Sequence, residues 1–187
     1  MAAELPQPKN YITTHAISDG NSVFLPENVV SSDPVFKKIG PTQSRFASLG
    51  AAPTVPVCIN PADAKNDVSA LTQDIATETQ PASVPKPGGI VFRRTDTPPG
   101  AASPMHRTLT VDYAVIVAGE IELTLESGEK RLLRTGDTIV QRATMHQWRN
   151  PSQTEWCRMV CVMVPIEEGS SVNGNVLEQE FRRPGGH

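Results

Sequence analysis

The stretch GAASPMHRTLTVDYAVIVAG, from Gly100 to Gly119, constrains the fold more than any other part of the chain. Successive side chains of a strand point to opposite faces, so a strand here sets His106, Thr108, Thr110 and Asp112 on one face. Arg107, Leu109 and Val111 take the other. A strand with a polar inner side and an apolar outer side predicts a barrel with a functional interior. The neighbouring sequence alternates in the same way. GGIVFRRTD precedes it, before the turn at Pro98, Pro99 and Gly100, and IELTLES follows it. Ser127 and Gly128 then separate off EKRLLR, Gly136 and Asp137 open TIVQ, and CRMVCVMVPI closes the set after a turn in RNPSQTEW. Short strands with tight glycine turns predict an all-β barrel or sandwich.

At 187 residues the chain suits one domain with an irregular arm. Residues 1–87 are rich in Pro, Ser, Thr and Asn and read as an N-terminal arm. The barrel is expected over 88–166 and a C-terminal tail over 167–187. Within the arm, YITTHAI and NSVFL read as a hairpin around Gly20, APTVPVCIN as an edge strand, and Pro61 as a possible first residue of a short helix. Strand edges in such an arm invite a homodimer by extending a partner's sheet; the alternative is that the arm folds back on its own barrel.

A net charge of -3 and scattered basic residues argue against a nucleic-acid partner. No apolar run approaches a membrane span, and MAAELPQPKN lacks the charged and apolar regions of a signal peptide, so a soluble, cytoplasmic protein with a small-molecule partner is expected. The cysteines Cys58, Cys157 and Cys161 form no C-x-x-C pair. Cys157 and Cys161 share a strand face with Met159 and Met163 and read as a sulfur-rich core.

The spacing of Gly100, His106 and Gly119 resembles the first motif of the cupin superfamily, with Thr108 in the place of its second histidine and Asp112 in the place of its glutamate. The second cupin motif is similar to GDTIVQRATMHQWRN, in which Gly136, Asp137, His146 and Asn150 match. Gln141 and Ala143 stand there for the usual proline and glycine. The resemblance implies a cupin jelly-roll barrel preceded by an arm of extra strands. The whole chain is similar to small single-domain cupin proteins of secondary-metabolite gene sets. Fungal relatives of that kind accompany polyketide synthases in salicylaldehyde-type pathways and are labelled cupin-domain oxidoreductases.

In a cupin interior His106 and His146 would converge with Asp112 nearby. Two histidines and a carboxylate suit one divalent iron, zinc or manganese ion. Thr108 supplies only a hydroxyl and Asp112 is a methylene shorter than glutamate, so the sequence permits that site without demanding it. Without a metal, the same residues make an acid–base set for dehydration, isomerisation or ring closure. Trp148 shares parity with His146 and, with Ile116, is a candidate wall for a planar substrate. Thr108, Arg93 and Arg94 are further substrate-binding candidates. The two arginines are adjacent, so a regular strand turns one of them inward, where it needs an anionic partner such as Asp112 or a substrate enolate. The leading expectation is a tailoring enzyme that acts on a small polyketide-like carbonyl compound by proton transfer, as a dehydratase, isomerase or cyclase. The alternatives are a metal-dependent oxidoreductase or dioxygenase and a non-catalytic small-molecule-binding cupin. His15 in the arm and His187 at the tail are lesser candidates.

Overall fold

The computed structural model describes residues 4–39, 43–76, 85 and 87–182. In chain order they form β1 (Thr13–His15), β2 (Ser22–Phe24), β3 (Lys37–Ile39), β4 (Ser44–Ala52) and the helix α1 (Asp67–Ala76). Next come β5 (Ile90–Thr97), β6 (Met105–Arg107), β7 (Thr110–Ala118), β8 (Glu120–Leu125) and β9 (Lys130–Arg134). β10 (Thr138–Arg142), β11 (His146–Arg149) and β12 (Cys157–Pro165) complete the main set. A hairpin of β13 (Ser171–Val172) and β14 (Asn175–Val176) leads to β15 (Glu180–Arg182).

Two antiparallel sheets result, one six-stranded in the order β10-β7-β12-β5-β4-β3 and one five-stranded in the order β15-β6-β11-β8-β9. Alternation along each strand dictates what lies between them. Ala114 and Ile116 from β7 and Cys157, Met159, Cys161 and Met163 from β12 meet Ile121, Leu123 and Leu133 of the other sheet. Burying each of the larger side chains is worth about 1.5–3 kcal/mol. Burial drives the Cys157 thiol up to about 12 and the Cys161 thiol up to about 11, so both behave as small hydrophobes and not as nucleophiles. The product is an all-β barrel of the kind that the alternation predicts, with the jelly-roll form that the cupin resemblance implies.

The expected single strand from His106 to Gly119 forms as two. It breaks at Thr108 and Leu109, so β6 joins the five-stranded sheet while β7 joins the six-stranded one. At its far end the chain crosses back to β8 through Gly119, which has φ 69°. A Cβ there would collide with the carbonyl oxygen of Trp156, so the crossing requires glycine.

The arm differs from its sequence reading in three places. The hairpin β1–β2 forms, with Thr13 opposite Phe24. The edge strand expected over APTVPVCIN does not, because its prolines interrupt the ladder. Instead SRFASLGAA makes β4, which pairs with β5 and bulges between Ser48 and Gly50. The main sheet therefore begins ahead of Gly88. The helix starts at Asp67, six residues after Pro61, because Asn66 caps it: Oδ1 of Asn66 accepts the Ser69 N–H at 2.7 Å. It packs along β4 and buries Leu71. No helix among the described residues is long and apolar enough to cross a membrane.

The start of the arm folds onto its own sheet. Arg158 Nη1 donates to the Pro6 carbonyl at 2.7 Å, Arg94 Nη1 to the Pro8 carbonyl at 3.2 Å, and Asn10 Nδ2 to the Leu49 carbonyl at 2.8 Å. Of the tail, 183–187 with His187 lies outside the described residues.

Candidate active site

Adjacent strands of the five-stranded sheet bring the two motif histidines together. His106 on β6 is directly opposite His146 on β11, and their ring centroids are 4.3 Å apart. Each ring is held through Nδ1. His106 Nδ1 lies 2.8 Å from the Pro104 carbonyl, which can only accept, so the ring donates there and its Nε2 carries the lone pair when neutral. His146 Nδ1 lies 2.6 Å from the Gln141 amide nitrogen and 2.9 Å from the Thr144 carbonyl.

Burial keeps both rings neutral. It lowers the His106 pKa against the upward pull of the Pro104 and His146 carbonyls. It brings His146, 2% exposed, down to about 4, with the neighbouring His106 adding to the effect. Trp148 meets His146 edge-on with centroids 5.7 Å apart, and Phe181 of β15 stacks on His106 at 5.5 Å and 6° between planes. The tail thus caps the pair, and no motif in the sequence points to Phe181.

Asp112 does not join the imidazoles. The break after β6 sends it to the six-stranded sheet, opposite Gln141 on β10 and Met163 on β12. Among the described residues no three side chains of His, Cys, Asp or Glu gather closely enough to hold a metal ion. The expected ligand set of His106, Asp112 and His146 therefore does not close. Two imidazoles without a convergent carboxylate do not fit the three-ligand iron, zinc or manganese site. Asp112 faces the charge of Arg93 instead. Burial raises its carboxyl pKa, while a Thr110 hydrogen bond and Arg93 pull it back, and Oδ1 is buried without a hydrogen-bond partner.

The sequence turns only one arginine of the Arg93–Arg94 pair inward, yet both are buried, at 5% and 7% exposure. Arg93 faces the interior, its guanidinium 5.0 Å from the Phe46 ring centroid. Arg94 lies on the opposite face, covered by the start of the arm, where Phe36 and the Pro8 carbonyl meet it. It is thereby removed from any interior substrate. Thr108 is buried and accepts a hydrogen bond from the Thr110 hydroxyl at 3.1 Å. Ile116, 1% exposed, is sealed in the core and offers no wall to a ligand, whereas Trp148 packs at the core edge beside His146. His15 sits exposed in the β1–β2 hairpin, a sheet separate from the one that carries the imidazole pair. A cavity of about 480 Å³ lies within the arm, lined among others by Tyr11, Phe24 and Glu27, and it contains none of these residues.

Asn150 of the second motif is fully buried and structural: its amide donates to the Thr97 and Glu155 carbonyls and its Oδ1 accepts from Ser152 N–H. Ala143, in the place of the motif's glycine, adopts a left-handed backbone at φ 49°.

Residues 93–163 match the Cupin domain family. Over 92% of this chain and 88% of its own length, phomopsin biosynthesis cluster protein C' of Diaporthe leptostromiformis is 41% identical. Oryzines biosynthesis cluster protein J of Aspergillus oryzae is 36% identical over 95% of this chain and 93% of its own. The cupin-domain-containing oxidoreductase srdB of Neurospora crassa is 34% identical over 95% and 83%. With motif, jelly roll and relatives over most of its length in agreement, the chain belongs to the cupin family.

Proposed function

We propose that the protein is a biosynthetic tailoring enzyme that transfers protons on a small, polyketide-like carbonyl compound, with His106 and His146 as its acid–base pair. The observation that carries this reading is the pair itself: a fully buried His146 and a half-buried His106, ring centroids 4.3 Å apart, both held neutral and each anchored through Nδ1. A neutral imidazole can take a proton from the carbon beside a carbonyl and, as the imidazolium so formed, return it to the departing hydroxyl, while the second ring, still neutral, donates a hydrogen bond to the substrate oxygen. In that dehydration a C–H and a C–O bond break, a C=C bond forms and water leaves, so no oxidant is consumed. Arg93 supplies positive charge for an enolate oxygen from the facing sheet, and the Asp112 carboxyl oxygen that lacks a partner can accept from a substrate hydroxyl. Trp148, edge-on to His146, is the wall for a planar substrate.

The test is a panel of β-hydroxy carbonyl compounds incubated in deuterated water, with His106→Asn and His146→Asn beside the parent protein. Deuterium incorporation or loss of water, reduced about 100-fold or more in each variant with the unfolding midpoint kept, supports the reading. Turnover unaffected by both substitutions sinks it.

The name of the Neurospora crassa relative favours a second reading, an oxidoreductase. Product mass separates the two, because a redox product differs from its substrate by two hydrogens or by added oxygen. A dehydration product differs by one water and an isomer not at all. Tight ligand binding without any product would identify a non-catalytic binder.

A further inference from the structure

Gln141 occupies β10 opposite Asp112, is 4% exposed, and reaches across to the other sheet's His146. Its amide orientation follows from its surroundings. The Thr144 carbonyl, 3.0 Å away, can only accept, so the atom nearest it is the nitrogen. The Thr144 hydroxyl then donates to Gln141 Oε1. One amide hydrogen goes to the Thr144 carbonyl and the other points to His146 Nδ1 at 2.6 Å.

Three polar atoms, the Gln141 amide nitrogen, the Thr144 carbonyl oxygen and His146 Nδ1, lie within 3.0 Å of each other, so one pair among them must be mismatched. A proton on Nδ1 would set two N–H groups face to face across the 2.6 Å contact. Turning the amide over would set two carbonyl oxygens 3.0 Å apart and take from the Thr144 carbonyl the amide hydrogen it now accepts. With Nδ1 unprotonated, every amide hydrogen is used, and the mismatch falls on the 2.9 Å contact between Nδ1 and the Thr144 oxygen.

We propose that Gln141 is a positioning residue that holds His146 as the Nε2–H tautomer, so that His146 presents a proton while His106, donating through Nδ1, presents a lone pair. The inference rests on the proton-transfer reading for its use, and it assigns the roles within that reading: His106 takes the proton and returns it, and His146 donates a hydrogen bond to the substrate oxygen. The two imidazoles are thus not interchangeable, although both are neutral and both are held at Nδ1.

The experiment is long-range proton–nitrogen correlation NMR of the full chain labelled with 15N-histidine, at neutral pH without substrate, with His106→Asn and His146→Asn samples for assignment. His146 is expected to show an unprotonated, pyridine-like Nδ1 and a protonated Nε2, and His106 the reverse. In Gln141→Leu the donor is gone, and His146 should turn to the Nδ1–H form on the Thr144 carbonyl. Gln141→Glu, which offers only acceptors, should do the same. A parent protein whose His146 is already Nδ1–H overturns the proposal, as does an unchanged tautomer in both variants. Should the variants not fold, the parent spectrum decides by itself. Tautomers as stated, with turnover indifferent to either histidine, would sink the proton-transfer reading and leave the positioning role standing. The reverse pattern would do the opposite.

Discussion

Arg158 grips Asp96 through two hydrogen bonds of 2.6 Å, Nε to Oδ1 and Nη2 to Oδ2, with both side chains sealed from solvent. The pair sits across β5 and β12 and is roofed by the Pro6 carbonyl, which takes a third guanidinium hydrogen at 2.7 Å. The N-terminal arm is therefore part of the sheet's outer layer. A planar fork matched to a carboxylate tolerates no shorter or neutral replacement at that depth.

Asp96→Ala should cost about 3–5 kcal/mol, because it leaves Arg158 buried without its counter-charge. Denaturant unfolding measures it, and a loss below about 1 kcal/mol would mean that water reaches the pair freely.

Acid should weaken the fold through His146. Its folded pKa, about 4, lies below the ordinary 6.5, so the unfolded chain binds the proton more readily. The stability is whole above pH 6.5 and drains as pH falls towards 4, by at most about 3 kcal/mol. Unfolding free energies at stepped pH check this: His146→Gln should flatten that segment of the profile, and an equally steep slope in the variant would assign it to other groups.

Gly119→Ala should be among the more damaging single-methyl substitutions in the protein. The added Cβ meets the Trp156 carbonyl and the backbone is left-handed, so the strain and the overlap add to roughly 2–4 kcal/mol. A thermal midpoint within a degree or two of the parent would show that the crossing from β7 to β8 can shift.

Phe181→Ala should release His106 rather than unfold the chain. The ring is 57% exposed, so little burial is lost, but it stacks on an imidazole whose pKa burial depresses. The His106 pKa should rise towards 6.5 in an NMR titration. A pKa unmoved by the substitution would mean that the sheets themselves, and not the tail, desolvate the ring.

Much of the fold and part of the site could be read from local patterns. Alternation located β5, β8, β9, β10 and β12 within a few residues, read β6 and β7 as one strand, and put Cys157, Met159, Cys161 and Met163 on one buried face. The spacing of Gly100, His106 and Gly119, with His146 and Asn150 later, marked two histidines that the sheet does bring face to face. Strand β4 was missed because SRFASLGAA mixes small and polar residues and bulges at mid-length, which blurs its period. Phe181 was missed because a lone aromatic in a polar tail carries no period at all. Gln141 left a trace, standing in the place of a motif proline, but nothing local shows what its amide reaches.

The sequence by itself determined which residues alternate inward and which turns join them, because strand period and glycine conformation are properties of a few neighbouring residues. Only the tertiary structure decided that the chain breaks at Thr108 and Leu109, carrying His106 into one sheet and Asp112 into the other. It also decided that Arg94 is buried under the arm while Arg93 faces Asp112, and that Gln141 meets His146 across the sheets. Those outcomes depend on which distant strands pair and what then covers them, a choice made by the burial of the whole core and by the partners that buried polar groups must find.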